Sequence, residues 1–434
     1  MTKNKFTSYN ECITYLFNLE RSGIKYDLKN IKLLLGLLKN PHNNFKAIHI
    51  AGTNGKGSVS SIINSVLIEK GFKTGLYTSP HIRDFRERIL VDGKYISKNF
   101  IVAFVNVYYN DIERIKPSFF EVTTAMAFKY FGFKKVKYAV VETGLGGRLD
   151  STNILKPLLS VITSLSIDHV DYLGSNIKSI TEEKGGIIKK AVPVIAGNVP
   201  AVSADILNKI AKEKKSNIIF AGRNKVSIHK KTEKGFYFNC GNKFKKLFYP
   251  VIGDYQVSNI KTALEAIQKL KEIDQINFEY KIIPNAFKNL KINSNLYGRF
   301  ELISTKPKII IDVSHNEQAI KNIKSNLKYF KFDNLVIIFA MMQDKKYKEC
   351  VSELSKLNAK IILTKPDYKR AAEPSELFKS VNKNKYKFIV KDNLETAYEY
   401  AKENTKHSDL ILITGSFFLV SDFLSLFNKY NKST

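Results

Sequence analysis

At 434 residues the chain is too long for one small core and suits two or three domains. Its apolar (44%) and charged (25%) fractions are those of a soluble globular protein. Lys plus Arg number 70 against 40 Asp plus Glu, a net charge of +30 that invites nucleic acid or a membrane surface. Most of the excess is Lys scattered through helices beside Asn and Ile, whereas Arg, which forks onto phosphates and bases, is scarce; neither nucleic acid nor membrane is expected as a partner.

In chain order, Thr7–Leu19 and Leu28–Leu38 have helical spacing, with Thr7 or Ser8 as N-cap and Pro41 closing the second helix. The apolar run Ala47–Ala51 ends abruptly in glycines, and Val59–Glu69 returns to helical spacing. This is strand, glycine turn, helix. Gly52, Gly55 and Gly57 let the backbone turn tightly and present N–H groups to an anion. Lys56 adds a point charge, and the helix N-terminus aims its dipole at the same place. The string AGTNGKGS departs from GxxxxGK[ST], since two residues separate Gly52 from Gly55 and Gly57 stands between Lys56 and Ser58. An ordinary glycine turn in a βα unit would look similar; the embedded Lys favours a nucleotide-phosphate cradle.

Lys73–Thr78 reads as a second strand running into TSPH, and Asp92-Gly93 is a hairpin signal between apolar runs. Phe120–Phe131 has the spacing of an amphipathic helix. Tyr138–Val141 is a buried strand opening into ETGLGGR at 142–148. Leu158–Thr163 is another, followed by Ser166–Tyr172, the helix Ile177–Ile188 and the strand Val192–Ala196. Apolar strands alternating with helices imply a parallel sheet covered on both faces, with ligands at the carboxyl ends of its strands. Lys56, Ser79, Glu142 and His169 all fall at such ends. Lys225–Tyr249 reads as a β-meander appended to this first domain, and Gly253–Leu270 as a helix entered through a polar turn. The composition turns loop-like near Ile292–Leu296. A second α/β pattern follows, with strands Lys308–Asp312, Leu335–Ala340, Lys360–Leu363, Lys387–Val390 and Leu410–Thr414; the domains are expected at 1–295 and 296–434. Cys12, Cys240 and Cys350 lie far apart, without disulfide or zinc spacing, and no apolar stretch reaches membrane-spanning length. A cytoplasmic protein is the expectation.

Phosphoryl chemistry needs Mg2+, which takes oxygen ligands; the Ser79 hydroxyl and the Glu142 carboxylate are the strand-end donors. Ser79 could equally cap a turn before Pro80, and Glu142 could be a surface acid, but an acid directly after YAVV suits a cation better. His169, in SIDHVD, is as consistent with a structural role as with a functional one. Lys184, in EEKGGI, sits where lysines commonly compensate a helix dipole, and pattern alone does not select it. IIIDVSHN at 309–316 presents Asp312, His315 and Asn316 at a strand end, suited to charge stabilisation or amine positioning. Arg299, in GRFE, could reach a phosphate or pair with Glu301.

The strings HIAGTNGKGSV (49–59), YTSPHI (77–82), FFEVTTAMAF (119–128), VVETGLGGRLDSTN (140–153), ITSLSIDHVDYLG (162–174), EEKGGIIK (182–189), GDYQVSN (253–259), YGRFE (297–301) and DVSHN (312–316) occur in this order. Together they resemble the folylpolyglutamate synthase/dihydrofolate synthase family, a branch of the Mur ligase superfamily. The resemblance implies an α/β fold, with a P-loop NTPase-like, mainly parallel-sheet domain followed by a smaller Rossmann-like domain. It also implies an ATP-dependent amide ligase, monomeric, joining L-glutamate to dihydropteroate or reduced folates through an acyl phosphate. By motif position, Thr53, Asn54, Gly55, Lys56, Gly57 and Ser58 would line the phosphate loop. Ser79 and Glu142 would hold one Mg2+, and Glu142 with His169 a second. Lys184 would be the lysine carbamylated in the family. Arg299, Gln256 and Asn259 would contact ATP, and Asp312 and His315 would stand near the nucleotide or the incoming amine. Departures are mild: EKGGI at 183–187 stands where EKAGI is common, and SerThrAsn at 151–153 where AlaThrAsn is frequent. Arg83–Arg88, with Phe85 between arginines, could hold the pterin or an anionic tail, or be a solvated turn. One rival is a Mur-type UDP-muramyl ligase, disfavoured by GTNGKGS in place of GTNGKT and by the short stretch before the cradle. The other is a P-loop nucleic-acid-binding protein that uses ATP as a switch, suggested by charge alone.

Overall fold

The computed structural model of the chain describes residues 5–19, 27–242, 244–276, 279, 281–381 and 388–432. Two compact units result. The first comprises Met1–Ile167, Leu173–Lys225 and Ser258–Asn295; the second comprises Asp168–Tyr172, Val226–Val257 and Leu296–Thr434. One passage of the chain between the units falls at 295/296, but segments 168–172 and 226–257 also belong to the second.

In the first unit β1 (Lys46–Ala51), β2 (Thr74–Tyr77), β3 (Ile89–Val91), β4 (Lys94–Tyr95), β5 (Tyr138–Glu142), β6 (Leu159–Ser164), β7 (Val194–Asn198) and β8 (Ile218–Phe220) form one sheet, ordered β4-β3-β2-β5-β1-β6-β7-β8. Pairing is parallel from β2 to β8, and β3 and β4 close one edge antiparallel. The central strands are buried almost throughout, as their unbroken apolar runs require. Register matters for the site: Ile50 of β1 faces Glu142 of β5, and Ala51 faces Ile162 of β6. The carboxyl ends of these three strands therefore open side by side.

Helices α1 (Tyr9–Asn18), α2 (Lys29–Leu37), α3 (Lys56–Glu69), α4 (Lys98–Ile115) and α5 (Phe119–Phe133) come first. They are followed by the short α6 (Val170–Leu173), then α7 (Ile177–Gly185), α8 (Ala201–Glu213), α9 (Gln256–Ile273), α10 (Ile282–Lys288) and α11 (Leu290–Ser294). Ser8 caps α1 in a capping box with Glu11, one of the two alternatives read from the sequence. α3 starts three residues earlier than expected, because Gly55 takes φ +84° and turns the chain straight into the helix. Every residue from Ser58 to Leu67 is buried. Two of its polar side chains have partners in the α10–α11 hairpin: Asn64 donates to the Asn293 carbonyl at 2.8 Å, and Ser65 to that of Ala286 at 2.7 Å. α5 is buried nearly all round rather than amphipathic, being packed within the aromatic core that α1, α2 and α4 also line. α4 and α8 went unread in the sequence, although each has an apolar stripe; Ser97 caps α4 by accepting from Phe100 N–H.

In the second unit β9 (Val226–Thr232), β10 (Gly235–Cys240) and β11 (Phe244–Tyr249) form the expected antiparallel meander. It belongs to this unit and not to the first, which corrects the expectation. Its inner face of Phe236, Phe238 and Tyr249 is fully buried, with Phe236 6.5 Å from the Tyr329 ring and Glu233 3.8 Å from Lys308. A six-stranded sheet follows, comprising β12 (Glu301–Thr305), β13 (Lys308–Asp312), β14 (Leu335–Phe339), β15 (Lys360–Leu363), β16 (Phe388–Val390) and β17 (Leu410–Thr414). Their order is β12-β13-β17-β14-β15-β16, parallel except for β12. Lys387, expected in β16, lies outside the described residues. Among the described residues no helix is long and apolar enough to cross a membrane.

Candidate active site

The cradle forms where β1 stops. A Cβ on Gly52 would stand 2.0 Å from the Thr163 hydroxyl, and one on Gly55 2.2 Å from Asn259 Oδ1, so both positions require glycine. The loop between them is fastened to the end of β6. Thr53 N–H donates to the Ser164 carbonyl at 2.7 Å, the Thr163 hydroxyl donates to the Asn54 carbonyl at 2.7 Å, and the Thr53 hydroxyl donates to the Ser166 carbonyl at 3.0 Å. α3 then begins at Lys56, and its first amides face the loop.

Three charged side chains converge here. Lys56 Nζ donates to the carbonyls of Gly52 (3.1 Å) and Thr53 (3.3 Å) and lies 3.9 Å from Glu142 Oε1. Glu142 is 3% exposed, which removes the surface-acid alternative. Lys184, near the end of α7 and likewise buried, donates to the same Gly52 carbonyl at 3.0 Å. Two ammonium groups thus share one oxygen. Ser58 and Asn259 are buried beside the loop; Ser79 follows β2 at its carboxyl end, next to β5, through a cis bond to Pro80.

Asp150 escaped sequence reading. Its buried carboxylate accepts the N–H groups of Gly144 and Leu145 at 2.8 and 2.9 Å and that of Thr152 at 2.9 Å, so it folds the glycine-rich loop after Glu142. Burial pushes its pKa up against the pull of those donors.

In the second unit Asp312 ends β13, where its carboxylate accepts Phe300 N–H (2.9 Å) and Ser314 N–H (3.1 Å); burial raises its pKa. Arg299 lies 5.6 Å from the Phe417 ring, and its charge bears on Asp312 and His315. Glu301 accepts Gly298 N–H at 2.8 Å. Gln256 is buried and its Oε1 accepts from Tyr249 OH at 3.3 Å.

His169, in the left-handed region at φ +52°, and His315 meet around Asp168. Asp168 Oδ2 lies 3.9 and 3.8 Å from their Nε2 atoms and accepts from Asn316 at 3.2 Å, while Oδ1 accepts from Lys345 Nζ at 2.9 Å. Lys345 Nζ is also 3.2–3.3 Å from both His169 ring nitrogens. Burial alone would raise the Asp168 pKa; the charges around it override that and hold the carboxyl far below its usual range. Burial lowers that of His315. The ligand atoms of Asp168, His169 and His315 lie within 4.8 Å of one another, but an ammonium already stands among them. Asp168 and Lys345 carried no sequence signal beyond standing next to His169 and after β14.

The arrangement can bind a polyphosphate in the first unit and hold a cationic amine against a carboxylate in the second. Known proteins match the chain along nearly its whole length. A family described as the Mur ligase middle domain matches residues 50–267, and one described as the Mur ligase glutamate ligase domain matches 298–417. The chain is 30% identical over 431 residues to the dihydrofolate synthase/folylpolyglutamate synthase of Bacillus subtilis, covering 96% of this chain and 98% of the relative. Among solved structures it is similar to Mycobacterium tuberculosis folylpolyglutamate synthase complexed with ADP and AMPPCP (TM-score 0.86, 26% identity, 96% and 99% covered). It is also similar to E. coli FolC in complex with DHPP and ADP (TM-score 0.84, 25% identity, 99% and 100% covered).

Proposed function

The chain belongs to the folylpolyglutamate synthase/dihydrofolate synthase family of Mur ligases, and from that premise we propose how its residues carry the family's chemistry and on which acceptors. The reaction is ATP-dependent, ADP-forming ligation of L-glutamate. The γ-phosphoryl group passes from ATP to a carboxylate of the acceptor, and the amino group of glutamate then displaces phosphate from the acyl phosphate to form the amide. We assign ATP binding to 1–295 and glutamate ligation to 296–434, in a cytoplasmic monomer that acts on both dihydropteroate and tetrahydrofolate.

The observation that carries the reading is the cradle: a left-handed Gly55 at the head of a 14-residue helix, with Lys56 drawn onto the loop carbonyls beside a buried Glu142. Thr53, Asn54, Gly55, Lys56, Gly57 and Ser58 hold the phosphates; Gln256, Asn259 and Arg299 contact the nucleotide. The oxygen donors Ser79 and Glu142, with His169, suit Mg2+; bound there, two ions would neutralise phosphate charge during transfer. Lys184 fits the carbamate reading because it is buried and shares an acceptor with Lys56. Conversion of one ammonium to an anion relieves that crowding and adds a ligand for a cation. Asp168, which already holds the Lys345 ammonium, also faces His315, and we assign His315 to the neighbourhood of the incoming amine. Asp312 fixes the backbone that carries Arg299 and His315.

The test is phosphate release from ATP with L-glutamate, comparing dihydropteroate with tetrahydrofolate. Turnover with both is expected. Turnover with one alone would make the enzyme specialised, and silence with both beside turnover of a UDP-muramyl substrate would overturn the assignment.

A further inference from the structure

Glu142 and Lys184 stand on different elements, one at the end of β5 and the other near the end of α7, and the chemistry proposed above needs them in fixed register. That reading is the premise here. What fixes the register is visible in the stretch between them. The residue before Lys184, Glu183, is gripped twice by Arg148. The Arg148 guanidinium forks onto Glu183 Oε1 through Nε (2.9 Å) and Nη2 (2.7 Å), and Arg148 N–H donates to the Glu183 carbonyl at 2.7 Å. The fork is bidentate from the arginine side, a geometry that lysine cannot reproduce. On one side Gly147 lies so close that a Cβ there would be 2.7 Å from the Glu183 carbonyl and 3.0 Å from that of Lys184. On the other, Asn153 Nδ2 bridges the carbonyls of Arg148 (2.9 Å) and Gly186 (3.1 Å), and Lys189 Nζ donates to the Asn153 carbonyl at 2.8 Å.

The glycine-rich loop that starts at Glu142 and the helix end that carries Lys184 are therefore stitched along both their lengths. We propose that Arg148 is a positioning residue for the ligase reaction: through Glu183 it sets where Lys184 stands relative to Glu142 and the phosphate loop, without touching a substrate. Its own exposure, with 58% of the side chain accessible, makes a large contribution to global stability unnecessary. The geometric demand is severe instead, since small displacements of groups that face a transferring phosphoryl are costly.

The experiment compares Arg148→Ala, Arg148→Lys, Glu183→Gln and Lys184→Ala in the full chain. Arg148→Ala is expected to keep its melting temperature within a few degrees and its KM for ATP within about twofold, while kcat for phosphate release falls by about 10- to 100-fold. Millimolar guanidinium should restore part of that kcat, and Arg148→Lys and Glu183→Gln should fall between the extremes. Independently of turnover, hydrogen exchange of the amides of residues 184–187 should quicken about tenfold or more in Arg148→Ala, with β1 unchanged. Parent kcat in Arg148→Ala would overturn the inference, as would unchanged exchange at 184–187 or a loss that guanidinium leaves untouched. Lys184→Ala separates this from its premise. Full activity there removes Lys184 from the site, whereas its loss beside a fully active Arg148→Ala overturns the role of Arg148 alone.

Discussion

The Gly52 carbonyl accepts from two lysines, one on the helix that opens the cradle and one on α7. Removing either should have distinct consequences. Lys56→Ala deletes phosphate charge from a side chain that is 17% exposed and lies outside the core. Phosphate release is expected to fall at least about 100-fold with an unchanged circular dichroism spectrum and melting temperature; parent-like turnover would refute the cradle. Lys184→Ala should cripple turnover, with partial recovery in short carboxylic acids that stand in for a carbamate. A different residue governs stability in acid. His49 of β1 is fully buried, its Nε2 sits 2.8 Å from the Thr152 hydroxyl, and burial lowers its pKa to about 3. Between that value and the unfolded pKa of about 6.5 the unfolded chain binds a proton that the native chain refuses, so stability falls as pH falls through this window. From pH 6.5 to 5 this single site accounts for about 2 kcal/mol. Urea unfolding at the two pH values should show that loss in the parent, and His49→Gln should flatten it; an unchanged slope in the variant would mean that other groups set the acid limb.

At the level of elements, the junction between α7 and the glycine-rich loop offers a test of packing. EKGGI departs from the family's common EKAGI at Gly185, where a Cβ would come closest to Ile210 Cδ1 at 2.7 Å, the far end of a flexible side chain, so that departure is mild; the demanding position is its neighbour, Gly186. In the fold a Cβ there would lie 2.4 Å from Arg148 Cβ and 2.5 Å from its Cα, backbone-bound atoms that cannot swing away. Gly186→Ala is expected to cost about 1–3 kcal/mol and to reduce kcat, since it pushes apart the segments that hold Glu142 and Lys184; thermal unfolding at or above the parent midpoint would contradict the packing. The elements themselves were largely legible. Near-unbroken apolar runs announced β1, β5, β6 and β14, and the glycines after β1 announced the cradle, because strand burial and phosphate binding both restrict composition locally. α4 and α8 were not read, and the buried circumference of α5 could not be, since periodicity does not show what packs on a helix's second side. Asp168 and Lys345 stayed hidden for a related reason. Their roles come from partners distant in sequence, such as the 177 residues separating Lys345 from Asp168, and no local pattern marks them.

For the whole molecule the unusual quantity is charge. A net +30 would, if focused on one face, make an electrostatic footprint for nucleic acid. Exposed lysines stand on several different elements, among them Lys32 on α2, Lys135 after α5, Lys212 on α8 and Lys245 on β11. Several others are matched with acids, as in Lys231–Asp254 (2.6 Å), Lys269–Glu272 (2.9 Å) and Lys365–Glu373 (3.0 Å). Diffuse charge raises the local concentration of small anions such as ATP and folyl glutamates but neutralises few phosphates of any one strand at a time. Binding to a labelled single strand of about 20 nucleotides, followed by fluorescence anisotropy, should therefore be weak at about 50 mM salt and undetectable by about 200 mM, because each phosphate contact contributes to the salt slope and few contacts form together. The KM for ATP should rise with salt over the same range by a small factor, since a focused site of backbone amides and Lys56 is screened less than the scattered surface. Submicromolar strand binding that survives about 200 mM salt would require a contiguous basic face and would reinstate a nucleic-acid partner.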